Sequence, residues 1–475
     1  MKQFICTALF YFAILFAFGQ QYPAFYQSAL IEVFDEKGDK YDNAFGGGLK
    51  FPVFSSIDLN FDGKNDLLVL DKIDDRILPF IYSDSLNYSY RPQYEPHFPV
   101  ITRYLHLKDY NGDGLADIFA FASDLNSGIE VYKNVSTPYH IEFEKVQEQL
   151  EALYFNSFKS LIYVNSIDIP AIEDLDGDGD LDILTFGVIG QTLDYFENLS
   201  MEKYGIADSF DFEYADACWG KFIEDDLTND ITLGFSCGAV RSGTERHAGS
   251  TSLLLDLDDD DDLDLLLGDV GYPGYYALVN GKNDFSWPVD TIISYEKKFP
   301  SYDSSVIIKN MPAGFYLDVN QDGLKDLVVS PQDMEFIDTF QSLNQVWLYL
   351  NDGQNNKPDL KFIANDFLQN EMIDLGGRSS PSFFDFDQDG DLDLIVSTIG
   401  DYNQSFYHKD RLVLFENEGS KSNPEFHLKD KDYANISSLN LRGIKASFGD
   451  MDGDGDKDLL LGKSDGKLAY FENTA

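Results

Sequence analysis

The chain is short of cysteine, of positive charge and of long apolar runs. Three cysteines in 475 residues exclude a scaffold built from disulfides. Thirty-five lysines and arginines face eighty-three aspartates and glutamates, a formal net charge of −48. A chain this poor in cations is not built to hold phosphate backbones, so nucleic acid is excluded as a partner. Beyond the first nineteen residues no stretch reaches the roughly eighteen uninterrupted apolar residues of a bilayer-spanning helix, and no membrane span is expected. Histidine is scarce too: His97, His106, His140, His247, His408 and His427 show no H-E-x-x-H spacing. No G-x-S-x-G elbow, P-loop or dinucleotide fingerprint occurs in a supporting context. Aromatics, by contrast, make up 15% and hydrophobic residues 43%. Acidic disordered chains are poor in both, so this chain folds and carries its charge on surfaces or in sites.

The chain opens MKQFICTALFYFAILFAFGQQ. One lysine, an apolar run and small residues at Ala17 and Gly19 form the layout of a secretory signal peptide over residues 1–19. Export follows, to the medium or the cell surface. Cys6 leaves with the leader. Cys218 and Cys237 remain, either joined in one disulfide or standing as two buried thiols.

The remaining sequence repeats itself. Aligned on the first aspartate, nine-residue phrases begin at Asp58, Asp109, Asp174, Asp256, Asp318, Asp385 and Asp450: DLNFDGKND, DYNGDGLAD, DLDGDGDLD, DLDDDDDLD, DVNQDGLKD, DFDQDGDLD and DMDGDGDKD. Each runs into Leu or Ile. An apolar stretch precedes each phrase, a second follows it, and a third recurs as VYKN, YFEN, LVLFEN or AYFEN. Short apolar runs broken by Gly, Asn and Asp are strands, so the fold class is all-β. Four short strands per repeat and seven repeats describe a seven-bladed β-propeller of four-stranded blades, one domain over residues 20–475. The last repeat stops one strand short. The segment YPAFYQSALIEVF, residues 22–34, is expected to complete that blade and close the ring, leaving no open edge.

The phrase has the chemistry of a calcium loop. Carboxylate or amide oxygens at positions 1, 3 and 5 face one side of a tight turn. These are Asp58, Asn60 and Asp62; Asp109, Asn111 and Asp113; Asp174, Asp176 and Asp178; Asp256, Asp258 and Asp260; Asp318, Asn320 and Asp322; Asp385, Asp387 and Asp389; and Asp450, Asp452 and Asp454. Glycine at position 6 supplies the left-handed backbone. Position 7 offers its carbonyl, from Lys64, Leu115, Asp180, Asp262, Leu324, Asp391 and Asp456. Position 9 closes the shell with Asp66, Asp117, Asp182, Asp264, Asp326, Asp393 and Asp458. The loops at Asp58, Asp109 and Asp318 hold fewer carboxylates and are expected to bind more weakly. In the fourth loop Asp261 replaces the glycine of position 6 and strains the turn. Up to seven Ca²⁺ are expected, and seven would add fourteen positive charges and bring −48 to −34.

With AFGGG at 44–48 and SFGD at 447–450, these loops resemble the FG-GAP/VCBS calcium-binding propeller repeats found in integrin α-chain heads and in secreted bacterial proteins. The resemblance covers all seven loops. It implies a seven-bladed propeller with calcium between the first and second strands of each blade. It leaves function open, since the family includes adhesion modules, carbohydrate-associated proteins and a few lyases.

Basic residues recur in the segments that lead into each repeat: Lys50, Arg103, Arg241, Arg246, His247, Lys309, Arg378, Arg442 and Lys445. In a propeller such segments cross the face opposite the loops, close to the axis. They form either a cationic pocket for an acidic ligand or an offset to the loop charge. The function expected is a monomeric, non-enzymatic recognition or adhesion module that holds a protein or polysaccharide on a propeller face. The alternative is a lyase for anionic polysaccharide, with His247 as base beside Arg246.

Overall fold

Each aspartate phrase joins two antiparallel strands. In all seven, the residue before position 1 pairs in register with position 9, as in Ile57 with Asp66, Leu255 with Asp264 and Gly449 with Asp458. Calling the sheets by chain order, the first contains Pro52–Ile57, Asp66–Asp71, Arg76–Asp84 and Asn87–Tyr90. The second contains Leu105–Lys108, Asp117–Phe121, Ile129–Asn134 and Phe143–Gln147. The fourth contains Ser250–Leu255, Asp264–Asp269, Tyr272–Asn280 and Ile292–Glu296, and the fifth Pro312–Leu317, Asp326–Pro331, Trp347–Asn351 and Leu360–Ala364. These are four-strand meanders, as the repeat predicts. The third, Ala171–Glu173, Asp182–Phe186, Leu193–Asn198 and Phe212–Trp219, is widened at its outer edge by the hairpin Glu151–Tyr154 and Phe158–Leu161. The computed structural model describes residues 31–474 apart from 126, 188–191, 225–229, 236–248, 310, 334–342 and 401–408. The leader with Cys6, and Cys237, Arg241, Arg246, His247 and His408, lie outside the described residues.

The second strand of each sheet is buried along nearly its whole length, in Asp66–Asp71, Asp264–Asp269 and Asp326–Pro331 on every residue. That explains why these segments read as unbroken apolar runs: both faces pack against neighbouring sheets. Outer strands alternate instead, as in Phe143–Gln147. Chemistry and packing thus divide the sheet, with the core inside and the polar edge outside.

The order in which the sheets meet departs from the seven-membered ring that the repeat count suggests. The first sheet packs directly on the fifth. Phe54 meets Phe315 with ring centroids 5.8 Å apart, the Tyr88 hydroxyl donates to the Val319 carbonyl at 2.7 Å, and the Gln332 amide donates to the Pro52 carbonyl at 2.9 Å. Ser55 donates from the first sheet to Leu105 of the second, and Lys108 of the second pairs with Glu173 of the third. Ile169 and Ser250 join the third to the fourth, and Thr251 donates to Pro312 between the fourth and fifth. Five sheets therefore close on one another, and their first strands surround a common cavity. The seven-bladed ring is corrected on this point. Aromatic faces of the first and fifth sheets fit each other and leave no gap for two more.

The sixth and seventh sheets stand beside that ring. The sixth contains Ser380–Phe384, Asp393–Thr398, Arg411–Asn417 and Glu425–Asp430, and the seventh Lys445–Gly449, Asp458–Gly462 and Leu468–Phe471. They pack face to face through Phe384, Ile395, Leu412, Leu414, Leu459 and Leu461. The other face of the sixth covers Val33, Ala44, Tyr41, Phe45 and Ile373. Glu32–Phe34 pairs parallel with Glu425–Asp430, and Phe34 stacks on His427 at 4.3 Å. The N-terminal strand therefore extends the sixth sheet. Among the described residues the seventh sheet has three strands, and residues 22–30 of the segment expected to complete it lie outside them; for Glu32–Phe34, apolar cover for Val33 on the sixth sheet's face decides the pairing. Among the described residues no helix is long and apolar enough to cross a membrane.

Candidate metal centres

The seven loops share one hydrogen-bond scheme. The position-1 carboxylate accepts the position-6 amide at 2.8–3.2 Å in every loop. The position-5 carboxylate accepts the position-7 amide at 2.8–3.2 Å, again in all seven. Each aspartate thereby spends an oxygen on shaping the turn, an Asx-type arrangement open to short carboxylates. Position 6 is left-handed throughout, with its glycines between φ 85° at Gly114 and φ 103° at Gly455. Asp261 adopts φ 65° there without glycine's freedom, which carries a strain of about 1 kcal/mol. Position 4 is left-handed as well, including Phe61, Asp259, Gln321 and Gln388, a second bend that the sequence did not announce.

Position 9 has a structural role beyond the expected closure of a metal shell. One oxygen accepts the position-2 amide at 2.6–3.2 Å. The other accepts an amide from the third strand at 2.7–2.9 Å, donated by Tyr82, Asn134, Asn198, Asn280, Asn351, Asn417 and Asn473. The asparagine that ends VYKN, YFEN and LVLFEN is thus a pin. Its own side chain ties the loop or the fourth strand, as Asn351 does by donating to Lys325 and accepting from Gly353 and Asp359. The recurrence of that asparagine was the available signal. Asp264→Ala strands the buried amides of Leu257 and Asn280, and a loss of about 2–5 kcal/mol is expected in denaturant melts even without calcium. Asp258→Asn keeps those bonds and is expected to lose only the calcium-dependent part. Equal losses from the two variants in EGTA would show that position 9 is not a pin.

Four loops hold carboxylate oxygens that the fold leaves unused. Asp178 Oδ2 and Asp180 Oδ1 in the third, Asp258 Oδ1, Asp260 Oδ2 and Asp262 Oδ1 in the fourth, Asp385 Oδ1 and Asp391 Oδ1 in the sixth, and Asp456 Oδ1 in the seventh are buried and meet no donor. The same four contain carboxylate trios with oxygens within 4.8 Å of one another: Asp174, Asp176 and Asp182; Asp256, Asp258 and Asp260; Asp385, Asp387 and Asp393; Asp450, Asp452 and Asp454. Glu202, on the short helix Ser200–Tyr204, forms a further trio with Asp176 and Asp178, a contributor outside the repeated phrase. Shielded, converging, donor-free carboxylates are costly alone and suited to a hard divalent cation. In all four loops an orphaned oxygen belongs to the aspartate at position 7, so that side chain adds to the carbonyl expected there.

The other three loops differ at two positions. Lys64, Leu115 and Leu324 at position 7 have no side-chain oxygen to offer. Position 3 is asparagine, and the amides of Asn60 and Asn320 donate to Asp62 and Asp322 at 3.0 and 2.8 Å, while Asn111 reaches Asp117 at 3.4 Å. In these three loops an intramolecular amide donor meets a loop carboxylate.

Burial sets the electrostatics. Asp182 and Asp264 are pushed up to about 8, and Asp66, Asp117 and Asp326 to about 6, by burial that two amide donors only partly offset. Asp180 and Asp262 rise to about 6 for the same reason, with neighbouring carboxylates adding to the effect.

Of the predicted basic residues, Arg241, Arg246 and His247 lie outside the described residues, and the described ones are spread over separate places. Arg103, left-handed at φ 69°, lies by buried Lys72, with Asp168 and Asp333 close by, at the end of the ring away from the loops. Lys72 is pushed down to about 7 by burial and by Arg103. Arg378, Arg442 and Lys445 lead into the sixth and seventh sheets, beside the ring, where Arg442 lies 3.8 Å from Asp410. For Arg378, Arg442 and Lys445 the expected convergence is corrected for the same reason as the ring: their two sheets are not in it. Cys218 is buried and disulfide-bonded.

No curated protein matches the chain. Residues 318–396 run from the first aspartate of the fifth loop into the second strand of the sixth sheet, and so span two loops and the strands between them. Over this span the chain matches the FG-GAP-like repeat family.

Proposed function

We propose that the chain is an exported, calcium-stabilised β-propeller protein that acts as a non-enzymatic recognition module for a protein or polysaccharide ligand. The five mutually packed sheets are its propeller, and the sixth and seventh form a two-sheet extension. The observation that carries the calcium reading is the set of buried, donor-free carboxylate oxygens in the third, fourth, sixth and seventh loops. Calcium bound there supplies the positive charge that offsets repulsion among these carboxylates. Asp174, Asp176, Asp178 and Asp180 hold it in the third loop, and the equivalent residues in the fourth, sixth and seventh. The loops at Asp58, Asp109 and Asp318 are weaker sites of the same kind. The role of the ions is to fix hairpins at one end of each sheet, which leaves a rigid face for recognition.

Recognition is favoured over catalysis by the same geometry. The acidic clusters are engaged in shaping and charging the loops, and His106, which lies near Lys108, is pushed down to about 3 by burial, far below the value a lyase base needs. Incubation with pectate or alginate in calcium buffer is expected to leave absorbance at 235 nm flat. A steady rise from unsaturated product would replace this reading with the lyase.

A further inference from the structure

At the axis of the five packed sheets lies a cavity of about 370 Å³. Its walls are the loop-side halves of the five first strands, with apolar contributions from Phe54, Ile172 and Phe315. Its mouth is charged. Lys108 and Glu173 form an ion pair across the seam between the second and third sheets, both about 30% exposed. Lys325, from position 8 of the fifth loop, lies within electrostatic reach of both and makes no ion pair among the described residues. On a chain of net charge −48, two lysines at one mouth, of which only Lys108 has an ion-pair partner among the described residues, are out of keeping with the surroundings. Asp174 and Asp256 also border the space. Both are first aspartates of carboxylate-rich loops, and the calcium proposed for each of those loops would neutralise them.

We infer that this axial cavity, on the loop face, is a binding site for one carboxylate-bearing sugar unit, such as the end of a uronic-acid-containing glycan. The inference rests on the calcium-stabilised propeller reading and places the ligand at the end of the ring opposite to the basic lead-in segments. Size limits the occupant: the volume is at the small end of the roughly 300–1,000 Å³ typical of small-molecule sites, which suits a single ring and not a chain. The lysines supply the carboxylate's partners, Lys325 directly and Lys108 by exchange from Glu173. The imidazole of His106 is in the wall. It bonds the Pro170 carbonyl, while its Nε2 is shielded and has no partner. Burial and the nearby Lys108 push it down to about 3, so this part of the wall carries no charge. An apolar wall with the Ser56 and Ser252 side chains in its lining and two cations at its mouth together describe an acidic sugar.

Saturation-transfer NMR and calorimetry with D-glucuronate and D-glucose on the full chain test this. In calcium, glucuronate is expected to bind saturably and glucose at least tenfold more weakly. Lys108→Met with Lys325→Met should weaken glucuronate tenfold or more. Glu173→Gln should tighten it several-fold, because Lys108 is freed from its partner, and a variant that gains affinity cannot be dismissed as misfolded. Equal binding of the two sugars, wild-type affinity in the double lysine variant, or weaker binding in Glu173→Gln would overturn the site. Calcium-induced stabilisation measured on the same samples separates the two levels. If calcium raises the melting temperature and glucuronate still gives no saturable signal, the sugar site alone falls. If calcium has no effect either, the propeller reading falls with it.

Discussion

Stripping calcium with EGTA is expected to lower the melting temperature by about 10 °C or more. The size follows from the four loops with orphaned oxygens. At free calcium about ten times the dissociation constant, each site stabilises the folded chain by ~1.4 kcal/mol, so four contribute ~6 kcal/mol. At about 2 °C per kcal/mol, the low end for large domains, that gives ~12 °C. The loss should be steep for a second reason. Without the ion, the third and fourth loops hold Asp178, Asp180, Asp258, Asp260 and Asp262 with oxygens buried against one another and no donor. Magnesium should restore little, because it favours compact octahedral sites with several waters over a shell of crowded carboxylates. Differential scanning calorimetry in calcium, magnesium and EGTA reads all three, and superimposed calcium and EGTA curves would contradict structural calcium.

The second large effect is a reversal of pH dependence on metal removal. Asp182 and Asp264 titrate at about 8 and Asp66, Asp117, Asp180, Asp262 and Asp326 at about 6 in the metal-free fold, with burial as the main cause. Asp194, outside the loops and buried beside Tyr214, is raised to about 7. A carboxyl whose folded value lies above its unfolded one favours the folded state while protonated. That contribution is complete below the unfolded value near 3.8 and is lost as pH rises through the folded value. In EGTA the melting temperature should therefore fall from pH 5 to pH 8. In calcium the trend is opposed, since the ion needs the ionised carboxylates and binds more tightly as protons leave. The gap between the two curves should widen across that interval. Parallel curves, or an EGTA curve that climbs with pH, would show that the loops carry no buried acid load.

The repeat unit was legible because its causes are local. Carboxylates at alternate positions, a left-handed glycine and a following apolar run specify a hairpin wherever they occur, and all seven form with identical register. The Asp or Asn at position 3 that separates the two expected grades of loop is read directly from the sequence as well. What was not legible depends on distant faces. Whether the first sheet meets the fifth or the seventh is decided by how Phe54, Tyr88, Phe315 and Phe367 pack, which no count of repeats contains. The short strand Glu32–Phe34 behaves likewise: Val33 finds its cover on the sixth sheet, which counting strands does not reveal. The pinning asparagine was visible in every YFEN-type phrase, but as part of a strand pattern. Its role emerges only once the third strand lies beside position 9.

Counting ions is the most direct test of the central claim that the loops are calcium sites of two grades. Equilibrium dialysis of the metal-stripped chain against graded calcium should reach four ions per chain in a first class, with further ions filling the Asn-containing loops at higher concentration. Asp178→Asn with Asp260→Asn should reduce the first class by two. Saturation at no more than one ion, or a first class unchanged by those two substitutions, would contradict the account.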